Sequence, residues 1–282
     1  MLTGGRKVLG EFKERLEDAI KTKRSRLGIN LDPLPESYVE LPNGMDMNTF
    51  LDQAIDSVAP FVTAFKLNTQ HFIYRFPTQR IEELVRKIHS HGVPVIADHK
   101  LADIGSSNSV AVYRIIERMG FDGITIHPII GWEDGIDIIS EQTKKLNAGL
   151  FSVIYMSHLG AKDFYDLEIR GKPLYNLFLD QALERNLTGI VVGATRTRKL
   201  DEISRKILKT KSRPVILTVG YGKQGGDVNE IPSSVLQLNF LAFIGRSVLY
   251  SYLNDTKVSF SQAIEGSAKE YRDLLSNRIA RK

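Results

Sequence analysis

Eight short apolar runs, separated by longer amphipathic or irregular stretches, constrain the fold of this 282-residue chain more than any other feature. They cover residues 27–32, 62–68, 93–100, 123–127, 150–157, 189–193, 215–220 and 241–246. Near-continuous apolar runs of this kind are what strands buried on both faces need, and such strands belong to parallel sheets covered by helices. Apolar residues recur at helical spacing in several intervening stretches: 48–58, 78–91, 107–119, 174–185 and 198–208. Ile81, Leu84, Val85 and Ile88 make one such stripe. Parallel strands joined by right-handed crossovers form an open doubly wound sheet or a closed barrel, and eight is the number that closes a (β/α)8 TIM barrel. The expectation is an α/β chain, a single (β/α)8-barrel domain over 1–282. It carries an N-terminal helical extension (about 1–25), whose helix at 7–21 is placed to cap the barrel bottom. A C-terminal helix (about 259–282, its core at 260–278) completes it.

Composition removes several classes of function. With no cysteine there is no disulfide framework, no thiol nucleophile and no cysteine zinc site. The net charge of +5 raises the question of nucleic acid, but the cations are scattered in small groups such as Lys21, Lys23 and Arg24. Solvated helix faces account for such groups, so no nucleic-acid partner is expected, although a cationic surface helps steer a small anionic substrate. The N-terminal stretch lacks the apolar core of a signal peptide, and no run approaches the roughly 18 residues of a membrane span. A cytoplasmic protein with no membrane partner is the expectation.

In a barrel of this kind the active site lies at the C-terminal ends of the strands, so polar residues should gather there. They do: Asn30 and Asp32 end the first run, Lys66 and Asn68 the second, and Asp98, His99 and Lys100 the third. His127 ends the fourth, Ser157 and His158 the fifth, and Gly245 and Arg246 the last. Charge at the end of a buried strand is costly unless paired or used. Strand alternation puts Asp98 and Lys100 on one face and His99 on the other. Taken alone, the pair reads equally well as a structural ion pair.

With Lys66 on the neighbouring strand, the signs alternate along a row. A lysine beside carboxylates keeps its proton, which argues against a Schiff base and for Lys100 as a general acid or electrostatic partner. A carboxylate held near a substrate anion destabilises that anion, and the stress is relieved if the charge leaves as carbon dioxide. An ammonium then stabilises and protonates the carbanion left behind. The glycine-rich run Gly220-Tyr221-Gly222-Lys223-Gln224-Gly225-Gly226-Asp227 after the seventh strand, with Gly245-Arg246 after the eighth, fits the common phosphate site of barrel enzymes.

These residues resemble the orotidine 5′-monophosphate decarboxylase family. Asp98-His99-Lys100-Leu101-Ala102-Asp103-Ile104 matches its Asp-x-Lys-x-x-Asp-Ile pattern. Leu31-Asp32, Phe65-Lys66-Leu67-Asn68, Met156-Ser157-His158, Gln224-Gly225-Gly226-Asp227 and Gly245-Arg246 follow in the family's order, over roughly residues 26–250. The resemblance implies a carboxy-lyase that turns orotidine 5′-monophosphate into UMP and CO2 in the last step of de novo pyrimidine biosynthesis, with no metal and no organic cofactor. It implies that Lys66, Asp98, Lys100 and Asp103 are catalytic, with Lys100 protonating C6 of the pyrimidine. Asp32 would contact ribose, Ser157 the pyrimidine, and Gln224, Gly245 and Arg246 the phosphate. Asp103, Ile104 and Ser107 would complete the site of the partner in a homodimer. The loop around 220–227 would close over the substrate. Val219 stands where the family often has proline, which leaves loop stiffness open.

Two other readings stay open at this point. Metal-dependent siblings, the 3-keto-gulonate-phosphate decarboxylases and hexulose-phosphate synthases, resemble the same Asp-x-Lys-x-x-Asp pattern, but they carry a metal-binding glutamate where this chain has Lys66. A noncatalytic binder of nucleotide monophosphates is the second, though a binder has no need of Lys100 between carboxylates. His127 and His158 read as structural, and the lone Trp132 as a packing residue.

Overall fold

The computed structural model describes residues 11–254 and 257–281. Eight parallel strands close into a barrel: β1 (Leu27–Asn30), β2 (Ala64–Asn68), β3 (Val95–Leu101), β4 (Gly123–Ile126), β5 (Gly149–Tyr155), β6 (Gly189–Gly193), β7 (Val215–Val219) and β8 (Phe240–Ile244). Each pairs with its sequence neighbours, and β8 closes on β1 with Leu27 opposite Ala242 and Ile29 opposite Ile244. Closure excludes the open doubly wound sheet. The eight apolar runs are these eight strands, and no end moves by more than two residues.

Around the barrel run α2 (Met47–Val58), α3 (Thr69–Phe72), α4 (Thr78–Ser90), α5 (Gly105–Val112), α6 (Asp137–Lys145), α7 (Ala161–Tyr165), α8 (Leu174–Glu184), α9 (Thr197–Leu208), α10 (Arg246–Leu249) and α11 (Phe260–Ala280), preceded by α1 (Phe12–Lys23). Local chemistry fixes the ends of several. Asp46 caps α2 by accepting the Thr49 N–H at 2.9 Å. Ser259 and Gln262 form a reciprocal capping box at the start of α11. The apolar stripe of α4 is buried, as its spacing requires. The helix read over 107–119 begins earlier, at Gly105, and continues as a π-helical stretch, Tyr113–Arg118. The helix α6, the short α7 and a small hairpin, Glu168–Ile169 with Lys172–Pro173, were not read from the sequence.

The N-terminal helix expected at 7–21 lies at Phe12–Lys23, and residues 7–10 fall outside the described residues. Its Phe12, Leu16 and Ile20 are buried against the lower interior of the barrel, among Ala64, Ile96, Phe151, Val153, Val191 and Val215. Glycines make room for the large rings there. A Cβ at Gly149 would stand 2.5 Å from the Phe12 ring, and one at Gly189 would stand 2.5 Å from the Phe151 ring. The bottom of the barrel is thus plugged by apolar side chains. Along β2 and β3 the residues two positions beyond Ala64 and Ile96 are Lys66 and Asp98, so the same inward face turns from apolar to charged on approaching the open end.

Candidate active site

The charged row assembles around one carboxylate. Lys66 is 2% exposed and Asp98 is 7% exposed, and the Lys66 ammonium donates to Asp98 Oδ2 in a short contact. Lys100 Nζ reaches Asp98 Oδ1 at 2.7 Å. Thr125 Oγ1, from β4, donates to the same oxygen at 3.0 Å. Burial alone would raise the Asp98 carboxyl, but the two ammoniums outweigh it and hold its pKa well below the usual carboxylate range. The fold therefore favours the ionised form of Asp98. The Lys66 ammonium also lies 5.8 Å from the centre of the Phe243 ring, whose body packs in the barrel interior.

Simple alternation does not bring Asp98 and Lys100 together. The β3–β4 ladder is in register at Ala97–Ile124 and again at Leu101–Ile126. Asp98, His99 and Lys100 therefore face the single residue Thr125, and β3 bulges there. Lys100 adopts φ +54°, a left-handed conformation uncommon for a side-chain-bearing residue. Its N–H turns to Thr125 Oγ1 at 3.0 Å instead of to the strand ladder. Lys100 meets Asp98 through this bulge and not through strand alternation. His99 does leave the barrel, and its Nδ1 lies 2.7 Å from Thr69 Oγ1 on α3. Burial lowers its pKa, with Asp98 opposing.

A second group of residues lines a neighbouring cleft of about 250 Å³, among them Asn30, Asp32, His71, Gln224, Gly245 and Arg246. Asp32 Oδ1 accepts the Asn68 N–H at 2.8 Å. Burial pushes the Asp32 carboxyl up, against the pull of Lys66. Phe243 and Lys223 also line this cleft, so Phe243 touches both it and the charged row. The loop after β7 folds on itself: Gly225 N–H donates to Gly222 O at 2.7 Å and Gly226 N–H to Gly220 O at 3.0 Å. Gly220 at φ +99° needs its glycine, because a Cβ there would press on Ser157 Cβ at 3.0 Å. Ser157 Oγ in turn donates to Gln224 Oε1 at 3.2 Å, joining the loops after β5 and β7. Val219 is a regular strand residue, opposite Gly193 and Phe243.

The single chain thus brings Lys66, Asp98 and Lys100 together in one group, and Asp32, Gln224, Gly245 and Arg246 in the adjacent cleft. Ser157 is bound to the edge of that cleft. Asp103, Ile104 and Ser107 do not join either group; they lie exposed at the start of α5. Asp103 Oδ1 accepts the Ile104 N–H at 2.7 Å, and Ile104 is 63% exposed. Thr125, His71 and Lys223 were not singled out as site residues from the sequence; a buried threonine two positions before a strand-ending histidine was the available signal for the first. His127 bonds Tyr165 OH at 2.7 Å, and its pKa is lowered, first by burial and then by Lys100. Trp132 packs under the Arg185 guanidinium at 4.7 Å. Among the described residues no three His, Asp or Glu side chains form a metal-holding group, and no helix is long and apolar enough to cross a membrane.

Known proteins resemble this chain in sequence and in fold. Residues 40–259 match the model of the family described as orotidine 5′-phosphate decarboxylase / HUMPS. The orotidine 5′-phosphate decarboxylase of Thermomicrobium roseum is 30% identical over 279 residues, covering 94% of each chain. That of Cupriavidus metallidurans is 33% identical over 228 residues, covering 77% of this chain and 80% of its own. The orotidine 5′-monophosphate decarboxylase of Methanocaldococcus jannaschii, solved in complex with the inhibitor BMP, superposes with a TM-score of 0.66 at 25% identity, over 88% of this chain and 97% of its own. The match takes in seven of the eight barrel strands and the whole charged row, and with it this chain belongs to the orotidine 5′-phosphate decarboxylase / HUMPS family.

Proposed function

We propose that this protein decarboxylates orotidine 5′-monophosphate to UMP and CO2. The observation that carries the reading is the row Lys66–Asp98–Lys100, a buried anion held between two ammoniums at the open end of the barrel. An ionised Asp98 beside the substrate carboxylate destabilises the ground state. The C6–carboxyl bond breaks, the electron pair stays on C6, and carbon dioxide leaves. Lys100 stabilises that pair and passes one Nζ proton to C6; solvent returns the proton to the amine. Lys66 orients Asp98 and reaches toward the ribose, which Asp32 binds. Ser157 holds the pyrimidine, while Gln224, Arg246 and the backbone at Gly245 hold the phosphate. Closure of the loop around 220–227 excludes water and adds remote binding energy to the transition state. An ammonium at position 66 would repel a divalent cation, which favours this metal-free chemistry over that of the HUMPS branch.

The exposed Asp103, Ile104 and Ser107 fit a role in a second copy's site, so the working form is a homodimer with shared active sites, in the cytoplasm. Ile104 would line the apolar pocket through which carbon dioxide departs. Purified protein should deplete the absorbance of orotidine monophosphate in the presence of a chelator, and Lys100→Ala should abolish that activity. Full activity of Lys100→Ala would overturn the mechanism. Mixed Lys100→Ala and Asp103→Ala proteins should regain partial activity through one intact hybrid site; no rescue despite proven subunit exchange would overturn the shared site.

A further inference from the structure

We propose that Thr125 is a positioning residue for the reaction, whose hydroxyl locks Lys100 and Asp98 into one geometry. The inference rests on the decarboxylase reading of the site. Thr125 is fully buried, and its single hydroxyl makes two bonds, both to the bulged segment of β3. It accepts the Lys100 N–H at 3.0 Å and donates to Asp98 Oδ1 at 3.0 Å. Both roles are filled at once, so the hydroxyl has no spare proton and its orientation is fixed.

A buried threonine ordinarily bonds a nearby main-chain carbonyl, as Thr63 does with Ser25 O and Thr218 with Leu241 O. Thr125 instead compensates a specific defect. Three residues of β3 stand opposite this one residue, and the ladder leaves the Lys100 N–H without a strand partner. The left-handed φ of +54° at Lys100 persists because that N–H is captured. Without the hydroxyl, Lys100 is free to relax to the extended region. Its side chain would then swing away from the carboxylate that its Nζ now meets at 2.7 Å. The same deletion strips Asp98 of one of its three donors. Thr125 touches no reacting atom; it acts through the two residues that do.

The serine and alanine variants isolate the effect, because they leave the same missing methyl and differ by one oxygen. Thr125→Ala should lower kcat by on the order of 10²-fold, the usual scale for a misplaced catalytic group, with KM within a few-fold of the parent. Thr125→Ser should stay within a few-fold of the parent in both. Thr125→Val, close in shape, should behave as alanine; if it does not fold, the serine–alanine pair still decides. Equal kcat for serine and alanine, or a loss confined to KM, would overturn the proposal. A crystal structure of Thr125→Ala with Lys100 unmoved on Asp98 would also overturn it, whatever the substrate. An inactive parent enzyme would instead overturn the decarboxylase reading and leave that structural readout standing.

Discussion

Replacing Asp98 with asparagine should unfold this protein at a lower temperature, and the location of the penalty can be named. At an effective dielectric of about 20, an ammonium 2.7 Å from a carboxylate oxygen is attracted by about 6 kcal/mol. Desolvation of each buried ion costs several kcal/mol and offsets most of that gain, so the intact row contributes little net stability. Asparagine keeps the shape and removes the charge, leaving two cations facing an amide. Lys100 has a side chain 29% exposed and can turn to water, whereas the Lys66 side chain is 3% exposed and cannot. Most of the penalty therefore falls on Lys66. Breaking a buried pair from one side costs about 3–5 kcal/mol, which for a chain near this size lowers Tm by roughly 6–20 °C.

The second arm is Lys66→Met in the Asp98→Asn background. It removes the stranded cation and should recover most of the loss, so the two substitutions are less than additive by more than about 1.5 kcal/mol. Thermal unfolding followed by circular dichroism measures all four proteins of the cycle. Strict additivity, or an Asp98→Asn protein that melts with the parent, would refute the claim that Asp98 is the counter-ion of a buried Lys66.

Three further expectations follow from the geometry. Leu16→Ala at the barrel plug should cost about 2–5 kcal/mol in chemical denaturation and leave kcat unchanged, since Leu16 is fully buried at the end opposite the charged row. Arg246→Gln should lower kcat/KM by about 10–100-fold in the decarboxylation assay, the scale of one charge-assisted phosphate contact. His99 and His127 are held below the ordinary histidine value by burial, so folding favours their neutral forms. Their contribution is complete above the unfolded pKa of about 6.5 and is lost as pH falls from there through the lower folded values; Tm should drop over that descent, and less so when both are glutamine.

The barrel was legible because a strand buried on both faces must be apolar throughout, and eight such runs leave little topological choice. The polar residues at the strand ends were legible for the same reason, since they interrupt runs that burial would otherwise keep apolar. The bulge at Asp98–Lys100 was not. It depends on Thr125, which sits on another strand, and on a left-handed lysine that no local preference of the sequence favours. The helix α6 escaped because a kinked segment with Asp134 at φ +53° precedes it and blurs its spacing. Under the proposed shared site, the placement of Asp103 and Ile104 relative to the charged row would involve a second chain, and no pattern within one chain encodes a distance between two.

The closure of β8 on β1 bears on how the molecule forms. Leu27 finds its partner in Ala242, so the first strand waits unpaired on one edge until nearly the whole chain is available. Contacts between such distant positions form slowly, because the loop entropy must be overcome before they reward it. In the closed barrel α1, immediately before β1, sets Phe12, Leu16 and Ile20 against lower interior residues of β2, β3, β5, β6, β7 and β8. A helix that plugs the barrel thus covers, in the folded chain, apolar surface that an unclosed sheet would expose to other chains.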